Sequence, residues 1–222
     1  MPTKNINTEH YRMMAGLLDF PEEWIKERAK EAQGFLDAQY PDIGGEFRPF
    51  AEMCSHTSLD DIQELYTRTF EVQAVTTLDL GYLLFGDDYK RAELLVNLNR
   101  EHATLGNDCG HELADHLPNV VRLIALLDDG ELRLELLKKV VVPGLKKMIG
   151  DFGPETLKKK NEVYVKHHKT LIEMKEHEGT IYQVPLMALL SILVRDFGLG
   201  AEEKEEGTGF LASLSTEMKI ED

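Results

Sequence analysis

Apolar residues recur at three- and four-residue spacing through nearly the whole sequence, and no other feature restricts the possible folds as much. One face of a helix repeats about every 3.6 residues and one face of a strand every second residue, so this spacing predicts helices. Convincing strand patterns are absent. The expected fold is all-α, a single-domain helical bundle over 1-200 followed by a polar tail over 201-222.

Punctuation divides the pattern. Thr8 reads as an N-cap before a stripe of Tyr11, Met14, Leu17 and Leu18. Asp19-Phe20-Pro21 breaks that helix, and Pro21 suits the first turn of the next, which carries Trp24, Ile25, Ala29, Ala32 and Leu36. Tyr40-Pro41 and Gly44-Gly45 read as a turn. Ser58 caps a helix with Ile62, Leu65, Tyr66, Thr69 and Phe70 on one face. The stretch 72–85 fits a short strand or an irregular helix locally, and its context favours helix. Asp87 or Asp88 opens a helix through Ala92, Leu95, Val96 and Leu98, and a polar loop with Gly106 and Gly110 follows. Pro118 opens the next helix, and Asp128-Asp129-Gly130 closes it. Apolar spacing continues over 131–152, where Pro143 predicts a break or restart. After Gly153-Pro154 a charged amphipathic helix is expected to about residue 176, and the apolar run Val184–Val194 predicts a helix covered on both sides.

The formal net charge of −15 argues against two partners. An acidic surface repels phosphate backbones and anionic lipid, so neither nucleic acid nor a membrane surface is expected, while basic peptides are attracted. No stretch reaches the roughly 20 apolar residues of a membrane span, and the first residues open no apolar run of the kind a secretory signal needs. Two cysteines, Cys54 and Cys109, form no disulfide framework and suit a reducing compartment. A cytoplasmic location is the expectation.

Chemistry-bearing residues crowd one segment: His102, Asp108, Cys109, His111, Glu112, Asp115 and His116. On a helix His111 and Asp115 share a face, as do Glu112 and His116. A metal-dependent helical hydrolase using His102, His111, Asp115 and His116 is therefore an alternative, although HExxH and paired Cys/His finger spacings are missing. No GxSxG, GxGxxG or GxxxxGK[ST] occurs, so neither a serine nucleophile nor a phosphate-cradling loop is indicated. Without a recognisable catalytic set, a binding protein is favoured over an enzyme, with no cofactor of its own; a generic helical adaptor is the other alternative.

Several stretches, in order, resemble one family. Glu112-Leu113-Ala114-Asp115-His116-Leu117-Pro118 resembles the E-L-P-D-H-x-P signature of the nitrate reductase delta-subunit family, the NarJ/TorD/DmsD-like redox-enzyme maturation chaperones. Leu17-Leu18-Asp19-Phe20-Pro21-Glu22 resembles the family's early L-L-D-Y-P-[DE], and Leu65-Tyr66-Thr67-Arg68-Thr69-Phe70 its L-Y-x-x-T-F. Leu84-Phe85-Gly86-Asp87 resembles the [LF]-x-G-[DE] that follows, which Arg91 continues. Ala114 stands where the family usually has proline, and Glu71 where aspartate is common.

The resemblance implies a TorD-like all-α chaperone without turnover. Such a protein binds the N-terminal or leader segment of a molybdopterin-dependent catalytic subunit, nitrate reductase or a DMSO-reductase relative, until the molybdenum cofactor is inserted. Transferred to this sequence, the client-peptide-binding residues are Tyr66, Phe70, Asp79, Leu84, Phe85, Glu112, Asp115, His116 and Pro118. Glu112 and Asp115 would meet client arginine or lysine, and Tyr66, Phe70, Leu84 and Phe85 would form an apolar wall. Asp115 is equally an N-cap candidate for the helix that begins near Pro118. A homodimer is possible in such a family.

Overall fold

Tyr40 alone separates two long helices that lie along one another, and the rest of the bundle is assembled on that hairpin. The computed structural model of the chain describes residues 8–158 and 180–199. Among these the helices are α1 (Glu9–Gly16), α2 (Ile25–Gln39), α3 (Pro41–His56), α4 (Leu59–Phe70), α5 (Leu80–Phe85), α6 (Tyr89–Leu105), α7 (Leu117–Leu126), α8 (Gly130–Leu136), α9 (Val142–Asp151) and α10 (Gln183–Phe197). A π-helical turn, Leu137–Val141, joins α8 to α9. No strand occurs among the described residues, and the fold is all-α around a single core.

Helix α2 packs on α3, α1 on α7, α10 on α3 and α9, and the short α5 on α6 and α9. At the centre, Phe50, Tyr66, Phe70 and Tyr182 meet edge to face with centroids 5.0–5.6 Å apart, the geometry that ring quadrupoles favour. Among the described residues no helix is long and apolar enough to cross a membrane.

A second polar knot ties the ends of the bundle together. Asp196 of α10 accepts from the Tyr11 hydroxyl at 2.6 Å and the Tyr40 hydroxyl at 2.8 Å, and lies 3.1 Å from His10 Nε2. One carboxylate thereby joins α1, the α2–α3 joint and α10.

The capping signals behave as expected at Ser58, which accepts from the Asp61 amide at 3.2 Å, and at Asp88, which accepts from that of Lys90. Thr8 differs. Its hydroxyl donates to the Ala125 carbonyl and so pins α1 to the end of α7 instead of capping its own helix. Pro21 precedes α2 by a turn rather than starting it.

Gly44-Gly45 is helical, not a turn: α3 begins at Pro41 and runs through both glycines and Pro49. Gly44 lies where a Cβ would sit 2.6 Å from Asp37 Oδ1, so a glycine there lets α2 and α3 approach closely. On α6 the buried face is Leu94, Leu98 and His102, while Val96, expected inside, is 68% exposed. Pro143 marks a restart, as expected: the π turn ends at Val141 and α9 begins at Val142 with Pro143 in its first turn, where a missing amide is tolerated. The stretch 72–85 is divided: an irregular segment leads into α5. Helix is present over 154–158; the remainder of the charged helix expected to residue 176 and the 201–222 tail lie outside the described residues. Along Val184–Val194 Met187 is exposed and the other side chains are buried or half-buried, as the apolar run predicts.

Candidate functional site

Two non-helical joints, one leading into α5 and the other into α7, are clasped together. Asp79 and His116 face each other in an isolated antiparallel bridge. The Leu80 amide donates to the Asp115 carbonyl at 3.0 Å and the Leu117 amide to the Leu78 carbonyl at 2.8 Å. Pairing two short extended segments in this way satisfies backbone groups that would otherwise be orphaned at the starts of both helices.

The side chains at the clasp form a charged network. Asp115 is fully buried. Its Oδ2 accepts from the Gly81 amide at 3.1 Å and from Arg91 Nε at 3.2 Å. Asp115 thus caps α5 from a distant segment rather than α7, whose N-cap position is His116 with no side-chain cap bond. A Cβ at Gly81 would lie 2.6 Å from Asp115 Oδ2, so glycine is what admits the carboxylate. Arg91 reaches further, with Nη2 3.2 Å from Asp79 Oδ2, and its guanidinium lies 5.3 Å from the Tyr82 ring centroid. His116 Nδ1 stands 3.3 Å from Asp79 Oδ1 and 3.8 Å from Glu112 Oε2.

Environment separates the two aspartates. The hydrogen bond from His116, aided by the charges of His116 and Arg91, holds the Asp79 carboxyl below its ordinary value. Burial and the neighbouring charge of Asp79 push Asp115 up against the opposing pull of Arg91.

Behind the clasp, neutral hydrogen bonds fix the loop over 106–116. His102 Nε2 donates to the Ala114 carbonyl at 3.0 Å, and His102 Nδ1 lies 2.8 Å from the Asn107 amide nitrogen. These partners set the tautomer. Asn119 donates to the carbonyls of Cys109 and Leu113. A histidine bond thereby holds the backbone at Ala114.

The nine expected client-site residues divide by exposure. Asp79, Glu112, Asp115 and His116 come together at the clasp, where Glu112 is mostly exposed, Asp79 partly exposed and Asp115 sealed. Tyr66 and Phe70 are core aromatics, Pro118 is buried in the first turn of α7, and Leu84 and Phe85 are half-buried on α5. Solvent-facing apolar surface comes instead from Phe20, Val72, Tyr82 and Leu113, each 46–53% exposed. Phe20 packs edge to face on Tyr66 at 5.5 Å, and the Tyr66 hydroxyl donates to the Leu18 carbonyl. Burial raises the Tyr66 phenol well above its usual value, and the charges of Glu71, Glu112, Asp19 and Asp79 add to the rise.

No family model matches the chain, and no curated protein matches it. The likeness to the delta-subunit family therefore rests on the motif stretches alone.

The metal set of the alternative hydrolase reading, His102, His111, Asp115 and His116, does not assemble. Both ring nitrogens of His102 have protein partners, and Asp115 faces Arg91 and Gly81. Among the described residues no group of three or more His, Cys, Asp or Glu side chains is placed to hold a metal ion. Arg91 was legible only as a motif continuation, and Phe20 and Leu113 only as members of motifs. Nothing local in the sequence announces that Arg91, on α6, joins carboxylates from two other segments.

Proposed function

We propose that this protein is a cytoplasmic maturation chaperone. In this role it binds the N-terminal or leader segment of a molybdopterin-dependent oxidoreductase catalytic subunit and holds it while the cofactor is inserted. The observation that carries this is the pairing of motif stretches that lie far apart in sequence. Stretches 17–22 and 65–70 meet through the Tyr66–Leu18 bond and the Phe20–Tyr66 contact, and Arg91 meets 112–118 through the Asp79–Arg91–Asp115–His116 network.

Support comes also from the chemistry of the exposed face. Glu112 and Asp79 present carboxylates and Phe20, Val72 and Leu113 present apolar side chains to solvent, which suits a client segment carrying both basic and apolar side chains. Asp115 acts from behind the carboxylates, holding α5 and Arg91, and does not itself touch the client. Tyr66 backs the exposed Phe20.

Affinity capture of the tagged protein from its host, grown anaerobically, followed by mass spectrometry, tests this. A molybdopterin-dependent catalytic subunit is expected to be enriched over control, and enrichment should be lost for Asp79→Asn combined with His116→Ala while that variant still unfolds in a cooperative thermal transition well above the capture temperature. Recovery of no redox enzyme while candidate clients are expressed would overturn the reading.

A further inference from the structure

Arg91 is held between two carboxylates in an arrangement that leaves one acceptor unused. Its Nε bonds Asp115 Oδ2 and its Nη2 bonds Asp79 Oδ2, both at 3.2 Å. Nε and Nη2 are the two donors with which a guanidinium makes a side-on, two-point pair with a single carboxylate. Asp115, however, receives only Nε, and its Oδ1 is buried with no hydrogen-bond partner. A buried acceptor without a donor is destabilising, because it has given up water for nothing, and here the missing donor is the one that Arg91 directs at Asp79.

We propose that Arg91 is an internal stand-in for a guanidinium carried by the client, and that client binding exchanges one for the other. The incoming arginine takes Asp79 Oδ2. Arg91 Nη2 turns to Asp115 Oδ1 and completes the two-point pair. Arg91 keeps two hydrogen bonds while the client adds one to Asp79, the buried orphan acceptor is satisfied, and charge at the site moves from one unit short of neutral for Asp79, Asp115 and Arg91 to balance. Asp79 is suited to the exchange because it is the more exposed aspartate, its side chain 28% accessible against 0% for Asp115. His116 stays on Asp79 Oδ1 and holds the carboxylate in register throughout.

The exchange rests on the client-site reading but makes a separate prediction: a residue that never touches the ligand controls its affinity, and a second substitution restores it. The probe is an acetylated, amidated pentapeptide of two arginines and three leucines, titrated into the full chain by NMR, with a lysine version as comparison. Asp115→Asn removes the charge to which Arg91 retreats, so binding is expected to weaken about tenfold, within the usual range of coupling between sites. Arg91→Gln combined with Asp115→Asn frees Asp79 Oδ2, so affinity should return at least to that of the wild type. In the wild type, the Asp115 carboxyl carbon and the Arg91 Nε–H resonances should shift together with Asp79 on titration, a readout that needs no variant to fold. The exchange is overturned if the probe causes no shift at Asp79, if Asp115 and Arg91 stay silent while Asp79 responds, or if the double variant binds as weakly as Asp115→Asn. Each of those outcomes leaves the chaperone reading to be decided by whether capture recovers a molybdoenzyme subunit.

Discussion

Asp79 and Asp115 are the same residue type at one clasp, yet their surroundings move them in opposite directions. A carboxylate whose folded value lies below its unfolded one contributes stability that is present above the unfolded value, near 3.8, and is lost as pH falls through the folded value. Asp79→Asn is therefore expected to lower the unfolding free energy at neutral pH by about 1 kcal/mol. The difference from wild type should vanish once acid has protonated the wild-type carboxyl too. Denaturant titrations at neutral and strongly acidic pH measure it, and a pH-independent difference would mean that Asp79 acts through packing rather than charge. Residue-scale chemistry was partly readable: Glu112, Asp115 and His116 were singled out by type and spacing, and Asp79 only through the family resemblance. Their division into a sealed Asp115 and an accessible Asp79 was not, because burial depends on what α5 and α6 bring against the loop.

At the scale of elements, glycines decide how closely helices approach. Gly144 on α9 faces Leu80, and a Cβ there would sit 2.3 Å from Leu80 Cδ2. Leu80 is fully buried and opens α5 next to Asp79, so it has little room to yield. Gly144→Ala is expected to destabilise by about 1–3 kcal/mol through overpacking and to perturb the clasp. Gly34, inside α2 with open space around its Cβ position, should show the opposite sign, with Gly34→Ala stabilising by about 0.5–1 kcal/mol. Thermal melts of the two variants provide the comparison, and stabilisation by Gly144→Ala would refute the close-approach account. The same local ambiguity explains the misread turn. Gly44-Gly45 has the composition of a loop, but the hairpin of α2 and α3 uses Gly44 as a contact surface and keeps it helical. The restart at Pro143 was readable, but the π turn that leads into it is a tertiary accommodation with no sequence signature of its own.

Across the whole molecule, two buried histidines make stability depend on mild acid. Burial lowers both His10 and His102, against the raising effects of Asp196 on His10 and of the Ala114 carbonyl on His102. A histidine lowered in the folded state leaves stability intact above the unfolded value, near 6.5, and forfeits it as pH falls towards the folded value, because the unfolded chain takes up the proton first. The unfolding temperature is expected to drop between about pH 7 and pH 5, before most carboxylates titrate. His10 sits in the Asp196 knot joining α1 to α10, and His102 holds the Ala114 backbone, so both the closure of the bundle and the seating of the clasp weaken together. An unfolding temperature constant over that range would sink the linkage.

What the sequence determined by itself was the all-α class, most helix positions and the segments that matter. Periodicity, caps and the order of polar motifs are local properties that a linear pattern carries. The tertiary structure decided which aromatic residues lie inside, which aspartate meets solvent, that a π turn leads into Pro143, how Gly44 stays helical, and that Arg91 joins Asp79 to Asp115. Those outcomes depend on contacts between residues 12 to 37 positions apart and more, brought together by packing that no single segment encodes.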